Sequence, residues 1–214
     1  MGSTRSSAIN LMSNRFDSFE GKDRGEVLLI HGLGSWKSRL AIRGVVSALN
    51  LRIDKPKIHF FNPKWQTSEL PQDKINRLVK FWKSERKPSI VIGISAGANL
   101  ARYLALKNPD DDITEVHLFA GYTSNGNSIY QRHREEAPAF PGVCSIVHDQ
   151  LRSKIEDQTK ITQYVPTVDG NYSDDIISEP DMVLEGATTV LVPMNGHSAS
   201  IRRCLLHELA QIAS

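Results

Sequence analysis

The residues of this 214-residue chain best placed to make and break covalent bonds are Ser95, His197 and a group of aspartates, Asp169, Asp174 and Asp175. A serine hydroxyl is a weak nucleophile until a neighbouring base takes its proton, and an imidazole serves as that base best when a carboxylate fixes its tautomer and supports the imidazolium. Ser95 lies in Gly93-Ile94-Ser95-Ala96-Gly97, directly after the apolar run Ser89-Ile90-Val91-Ile92 and directly before the helix-forming stretch Ala98 to Ala105. Small residues on both sides of a serine let a strand turn sharply into a helix and push the hydroxyl into a cleft, the device known as a nucleophile elbow. The free N–H groups at the start of that helix can also help hold an oxyanion formed on a carbonyl under attack.

The elements around this segment must supply the remaining parts. Gly25 to Ile30 reads as a short apolar strand ending in His31-Gly32-Leu33-Gly34-Ser35, a glycine-bearing loop ahead of a helix. Such a loop can lend a second backbone donor, so the expected oxyanion hole consists of the amides of Leu33 and Ala96. Thr188 to Pro193 reads as a strand leading into Met194-Asn195-Gly196-His197. Of the seven histidines, only His197 combines a flanking glycine, a position just past a strand and a place after the aspartates. His31 reads as a residue that shapes its loop, while His59 and His117 fall inside strands. For the acid, an aspartate followed two and three positions later by Ile fits the turn that presents a triad carboxylate, which favours Asp174 before Ile176 and Ile177. Asp169 and Asp175 stay open beside it, since Asp is also a common turn residue.

Strands are expected at about 25–30, 56–61, 88–93, 113–119, 161–168 and 187–193, and helices at about 36–49, 71–85, 96–107, 145–157 and 198–212. Regular alternation of strand and helix predicts an α/β fold, a mostly parallel sheet of about six strands with helices on both faces. Tyr122 to Val143 reads as an insertion after the fourth strand, where a lid or pocket wall would stand. Trp36, Tyr122 and Phe140 are the expected pocket residues.

The stretch Gly93 to Tyr103, together with His31-Gly32-Leu33-Gly34, resembles the small α/β-hydrolases of the lipase and esterase type, and the order Ser, Asp, His along the chain is theirs. The resemblance implies a minimal α/β-hydrolase fold and a serine hydrolase that cleaves a carboxylic ester through Ser95, His197 and Asp174, with thioester or amide as lesser alternatives. Ile94 stands where many true lipases carry His, and Ala98 where they carry a second Gly, which points away from that subclass. A contrasting reading is a catalytically silent hydrolase-fold protein with an interaction or regulatory role.

Bulk composition fits one globular domain at 24–214 preceded by a flexible arm over 1–23, which is rich in Ser, Asn and charge. A net charge of +2, with basic residues scattered and balanced by acids, gives no expectation of a nucleic-acid partner. Lys80, Lys83, Arg86 and Lys87 read as a solvated helix face. Cys144 and Cys204 have no metal-ligand spacing and read as reduced structural thiols, which suits a cytoplasmic setting. No metal, cofactor or stable membrane insertion is expected. The expected partner is a small acyl ester.

Overall fold

The computed structural model describes residues 26–34, 36–50, 57–107, 113–125, 131–151 and 160–208. The arm expected at 1–23 lies outside them.

Six parallel strands form the sheet: β1 (Val27–Ile30), β2 (Ile58–Phe61), β3 (Ile90–Ile94), β4 (Glu115–Phe119), β5 (Ile161–Val168) and β7 (Thr188–Pro193), with β6 (Asn171–Tyr172) returning antiparallel along the end of β5. Their spatial order is β2-β1-β3-β4-β5, with β7 on the far side of β5. The inner strands β1 and β3 are buried at every position, as continuous apolar runs in a sheet covered on both faces should be. β7 pairs only with β5 and is mostly half-buried, so its apolar run marks an edge strand.

Successive side chains on a strand point to opposite faces, and the core divides accordingly. Leu28, Ile30, Val91, Val116 and Leu118 face one cluster, packed under α2 (Pro71–Ser84), α3 (Gly97–Lys107) and α5 (Phe140–Leu151). Val27, Leu29, Ile90, Ile92, Ile94 and Phe119 face the other, covered by α1 (Trp36–Asn50) and α7 (His197–Arg203). α3 carries its whole stretch from Gly97 to Leu106 buried.

The chain passes from β1 outward to β2 and then back across β1 to β3, so the connections leave the C-terminal ends of β1 and β3 in opposite directions. Such a switch point opens a crevice at the sheet's carboxyl edge. The loop after β1 and the turn after β3 both end there.

Two helices differ from their expected bounds. α5 begins at Phe140 rather than near 145, because Pro141 occupies its first turn, where a missing N–H costs nothing. The insertion is thus shorter than expected and contains its own helix, α4 (Gln131–Glu136). At the C-terminal end, α7 gives way at Cys204 to a π-helical turn (Cys204–Glu208).

Candidate active site

Ser95 sits in a left-handed backbone conformation with φ of 49°, a strained geometry for a residue with a side chain, costing about 1–3 kcal/mol. Neighbouring contacts hold it there. Its N–H donates to the Phe119 carbonyl at 3.0 Å, and its own carbonyl accepts from the N–H groups of Ala98 and Tyr122, both at 3.0 Å. The flanking glycines are required by close approach: a Cβ on Gly93 would lie 2.7 Å from Ala98 Cα, and one on Gly97 would lie 2.5 Å from the Ile30 carbonyl oxygen. Small residues therefore let α3 pack directly on β3 and β1, and the elbow follows.

The Ser95 hydroxyl donates to His197 Nε2 at 2.8 Å, and His197 Nδ1 donates to Asp174 Oδ2 at 2.7 Å. A carboxylate can only accept, so this arrangement places the imidazole proton on Nδ1 and leaves the Nε2 lone pair facing the hydroxyl. The Asp174 side chain is wholly buried. Its other oxygen accepts from the N–H groups of Ile176 and Ile177, each at 2.8 Å, the local turn that the Asp-x-Ile-Ile pattern implies. Tyr172 supports the same turn by donating its hydroxyl to the Ile177 carbonyl, and burial, aided by the Asp174 charge, raises its pKa so that the donor proton stays in place.

Asp175 and Asp169 stand elsewhere. Asp175 is exposed and accepts the backbone N–H of His197 at 2.7 Å. That hydrogen bond holds its carboxyl below the usual range. Asp169, with φ of 49°, and Gly170, with φ of 80°, form the turn between β5 and β6. Gly196 precedes His197 with φ of 86°, and its N–H donates to the Ser173 carbonyl at 2.9 Å, tying the histidine loop to the aspartate loop.

On the other side of Ser95, Leu33 and Ala96 both border the cleft, and among the described residues neither N–H donates to a backbone carbonyl. The loop carrying Leu33 is fixed from below. Buried His31 donates its Nδ1 proton to the Gly32 carbonyl at 2.5 Å, and buried Trp65 donates its indole N–H to the His31 carbonyl at 3.2 Å. Trp65 is held in turn by a loop that wraps the fully buried Lys74 ammonium, which donates to the Lys64 carbonyl at 2.8 Å and the Thr67 hydroxyl at 2.9 Å.

A cavity of about 580 Å³ opens over Ser95 and His197, a size that suits a small organic molecule. Of the expected pocket residues, Tyr122 and Phe140 line it, packed edge to face with centroids 5.5 Å apart. Trp36 opens α1, and its side chain lies outside the described ones. The cavity also borders His133, Ser178 and Asp181, which the sequence reading did not single out. Ser178 donates its hydroxyl to Asp181, and the Asp181 carbonyl accepts from Thr123 N–H at 2.8 Å and Thr123 hydroxyl at 3.0 Å. Cys144 is no rival nucleophile, since burial pushes its thiol up to about 12. Among the described residues no group of three His, Cys, Asp or Glu side chains could hold a metal ion, and no helix is long and apolar enough to cross a membrane.

No protein-family model matches this sequence, and no curated protein matches it. Solved structures do share its fold. A thioesterase domain from the curacin biosynthetic pathway superposes with a TM-score of 0.54 at 16% identity, over 90% of this chain and 92% of that one. The esterase domain of a Rhodothermus marinus protein gives 0.55 at 12% identity, over 87% and 86%. A variant of the haloalkane dehalogenase DatA from Agrobacterium tumefaciens gives 0.57 at 7% identity, over 90% and 89%. The chain has the α/β-hydrolase fold, with a mostly parallel sheet in its minimal form.

Proposed function

We propose that this protein is a serine hydrolase that cleaves a carboxylic ester. The observation that carries the reading is the hydrogen-bonded chain from the Ser95 hydroxyl through His197 to buried Asp174, at 2.8 and 2.7 Å, at the carboxyl edge of the sheet. The esterase and thioesterase domains that share the fold support acyl transfer in general terms. The dehalogenase among them shows that fold alone does not select the reaction, so the argument rests on the side chains.

In the proposed reaction Ser95 Oγ bonds to the ester carbonyl carbon while its proton passes to His197 Nε2, and Asp174 stabilises the imidazolium. The carbonyl oxygen becomes an oxyanion, held by the N–H groups of Leu33 and Ala96. When the intermediate collapses, the carbon–oxygen bond to the leaving alcohol breaks and Nε2 returns the proton to that oxygen. Water then gives a proton to Nε2 as it attacks the acyl-enzyme, and collapse releases the acid and restores the Ser95 hydroxyl.

A fluorophosphonate probe tests the reading directly, because it phosphonylates only an activated serine. Mass spectrometry of the labelled protein should place the adduct on Ser95. An adduct on another serine overturns the assignment of Ser95, and no adduct under conditions where the fold is intact overturns it in favour of a silent scaffold.

A further inference from the structure

The cavity over Ser95 is two-sided, because it straddles the carboxyl edge of the sheet and draws its walls from both faces. Toward α4 and α6 (Glu179–Met182) it presents His133, Ser178 and the largely buried Asp181 beside Tyr122. Toward the opposite face it runs between α1 and α7 with its π-helical turn, lined by Ala41, Ile42 and Val45 of α1, by Ile201 of α7 and by Leu205 and Leu206 of the turn, with Ile94 at the base of the serine turn. The first limb combines those hydrogen-bonding groups with Phe140, Ile176 and Ile177; the second is apolar apart from Arg202.

Helix geometry accounts for the second limb. Ala41, Ile42 and Val45 lie on one side of α1 at helical spacing. On the other wall, the π-helical turn at Cys204–Glu208 continues α7 and carries Leu205, buried, and Leu206, well exposed, both of which border the cavity. From Ile201 to Leu206 this wall extends about 7 Å along the helix, long enough to line several methylene groups. Leu206, at the far end of this wall, is exposed, as is Arg202 beside Ile201.

Resting on the serine-hydrolase reading, we infer that the limb between α1 and α7 binds an unbranched aliphatic acyl chain, and that the substrate is a medium-chain fatty-acyl ester of a polar alcohol. Such an ester carries its apolar half on the acyl carbon bonded to Ser95 and its hydrogen-bonding half on the leaving group, which matches the division of the cavity. Continuity with the Ser95 crevice makes the limb part of the site.

The test is a series of p-nitrophenyl alkanoates from acetate to octanoate, run on the wild type, Ala41→Trp and Ile201→Trp. Burial of each added CH2 in the limb should raise kcat/KM about threefold to fourfold. In both tryptophan variants the octanoate-to-acetate ratio should collapse toward one. A steep series that both variants leave intact overturns the assignment, as does chain dependence found in n-alkyl acetates instead of alkanoates. Failure of Ser95 to label with fluorophosphonate marks failure of the underlying reading alone. The limb is then read without catalysis: octanoate should raise the Tm of Ser95→Ala and should not raise that of Ser95→Ala/Ile201→Trp, and absence of any rise in the first protein overturns the inference.

Discussion

Around Ser95 contact distance locks the backbone in addition to hydrogen bonds, whereas around His197 and Asp174 hydrogen bonds tie it. The elbow lies between two fully buried strands and a helix buried from Gly97 to Leu106, and its glycines are in place because α3, β1 and β3 leave no room for a Cβ. The aspartate stands on the loop after β6 and the histidine opens α7 just beyond the edge strand β7, where cross-links such as Gly196 N–H to Ser173 carbonyl and His197 N–H to Asp175 do the positioning. Packing is cooperative and unforgiving, while a hydrogen bond in a loop can be removed singly. The nucleophile and its base should therefore respond differently to substitution.

The largest expected effect lies at the nucleophile. Ser95→Ala should fold, since it removes one oxygen and retains the elbow, yet lower ester kcat by about three to six orders of magnitude. A p-nitrophenyl ester assay together with a circular dichroism spectrum checks both halves. Retained turnover would move the chemistry to another residue and remove the reason for comparing the two regions.

Next comes the acid. Asp174→Asn keeps the shape of the turn but loses the charge that supports the imidazolium, and kcat should fall by up to about four orders of magnitude. Asp169→Asn, in the β5–β6 turn, should stay near wild type. A crippled Asp169 variant beside an active Asp174 variant would show that the loop between β6 and α6 is held differently from the arrangement described.

The fate of these residues shows what a sequence can disclose. The elbow was legible because its cause is local: two glycines, a preceding apolar run and a following helix all lie within some fifteen residues. The sheet was legible for the same reason, through alternating runs whose bounds moved by only a few residues. Choosing among three aspartates was harder, because burial of Asp174 against His197 is a contact between loops 23 residues apart. Asp181, Ser178 and His133 carried no pattern at all; the fold of α6 and α4 brings them to the cavity. α1 was expected as a helix at about 36–49 with only Trp36 at the pocket, since nothing in Ala41-Ile42 and Val45 distinguishes a face on the sheet from a face on a groove. The start of α5 was misplaced because Pro141 reads equally as a breaker and as a first-turn residue.

Stability measurements sharpen the contrast between contact and tether. Gly97→Ala forces a methyl onto the carbonyl oxygen of Ile30, backbone that cannot swing aside, and should cost about 2–4 kcal/mol in urea unfolding. Gly196→Ala meets only the Asp175 carboxylate, at 3.3 Å, and its cost is chiefly that of placing a side chain at φ 86° and ψ 156°, about 1–3 kcal/mol. Equal losses, or the reverse order, would break the distinction between a packed elbow and a tied loop.

The smallest effect belongs to Asp175, which touches the mechanism chiefly through the backbone N–H of His197, with a lesser interaction with the His197 charge. Asp175→Asn retains an oxygen to accept that N–H and should keep nearly full activity, whereas Asp175→Ala removes the acceptor and should lose about tenfold or less in kcat/KM. The pH dependence follows from the direction of its shift. Because the folded protein holds this carboxyl below its usual value of 3.8, the ionised form favours the folded state, and that contribution is complete above the unfolded value and disappears as pH falls through the folded one. Wild type should therefore exceed Asp175→Asn in stability at neutral pH by a small margin that closes in strong acid, since the exposed carboxyl is well screened. Urea titrations of the two proteins at neutral and strongly acidic pH measure that margin, and a gap that widens in acid would show that the His197 N–H is not what holds the Asp175 charge.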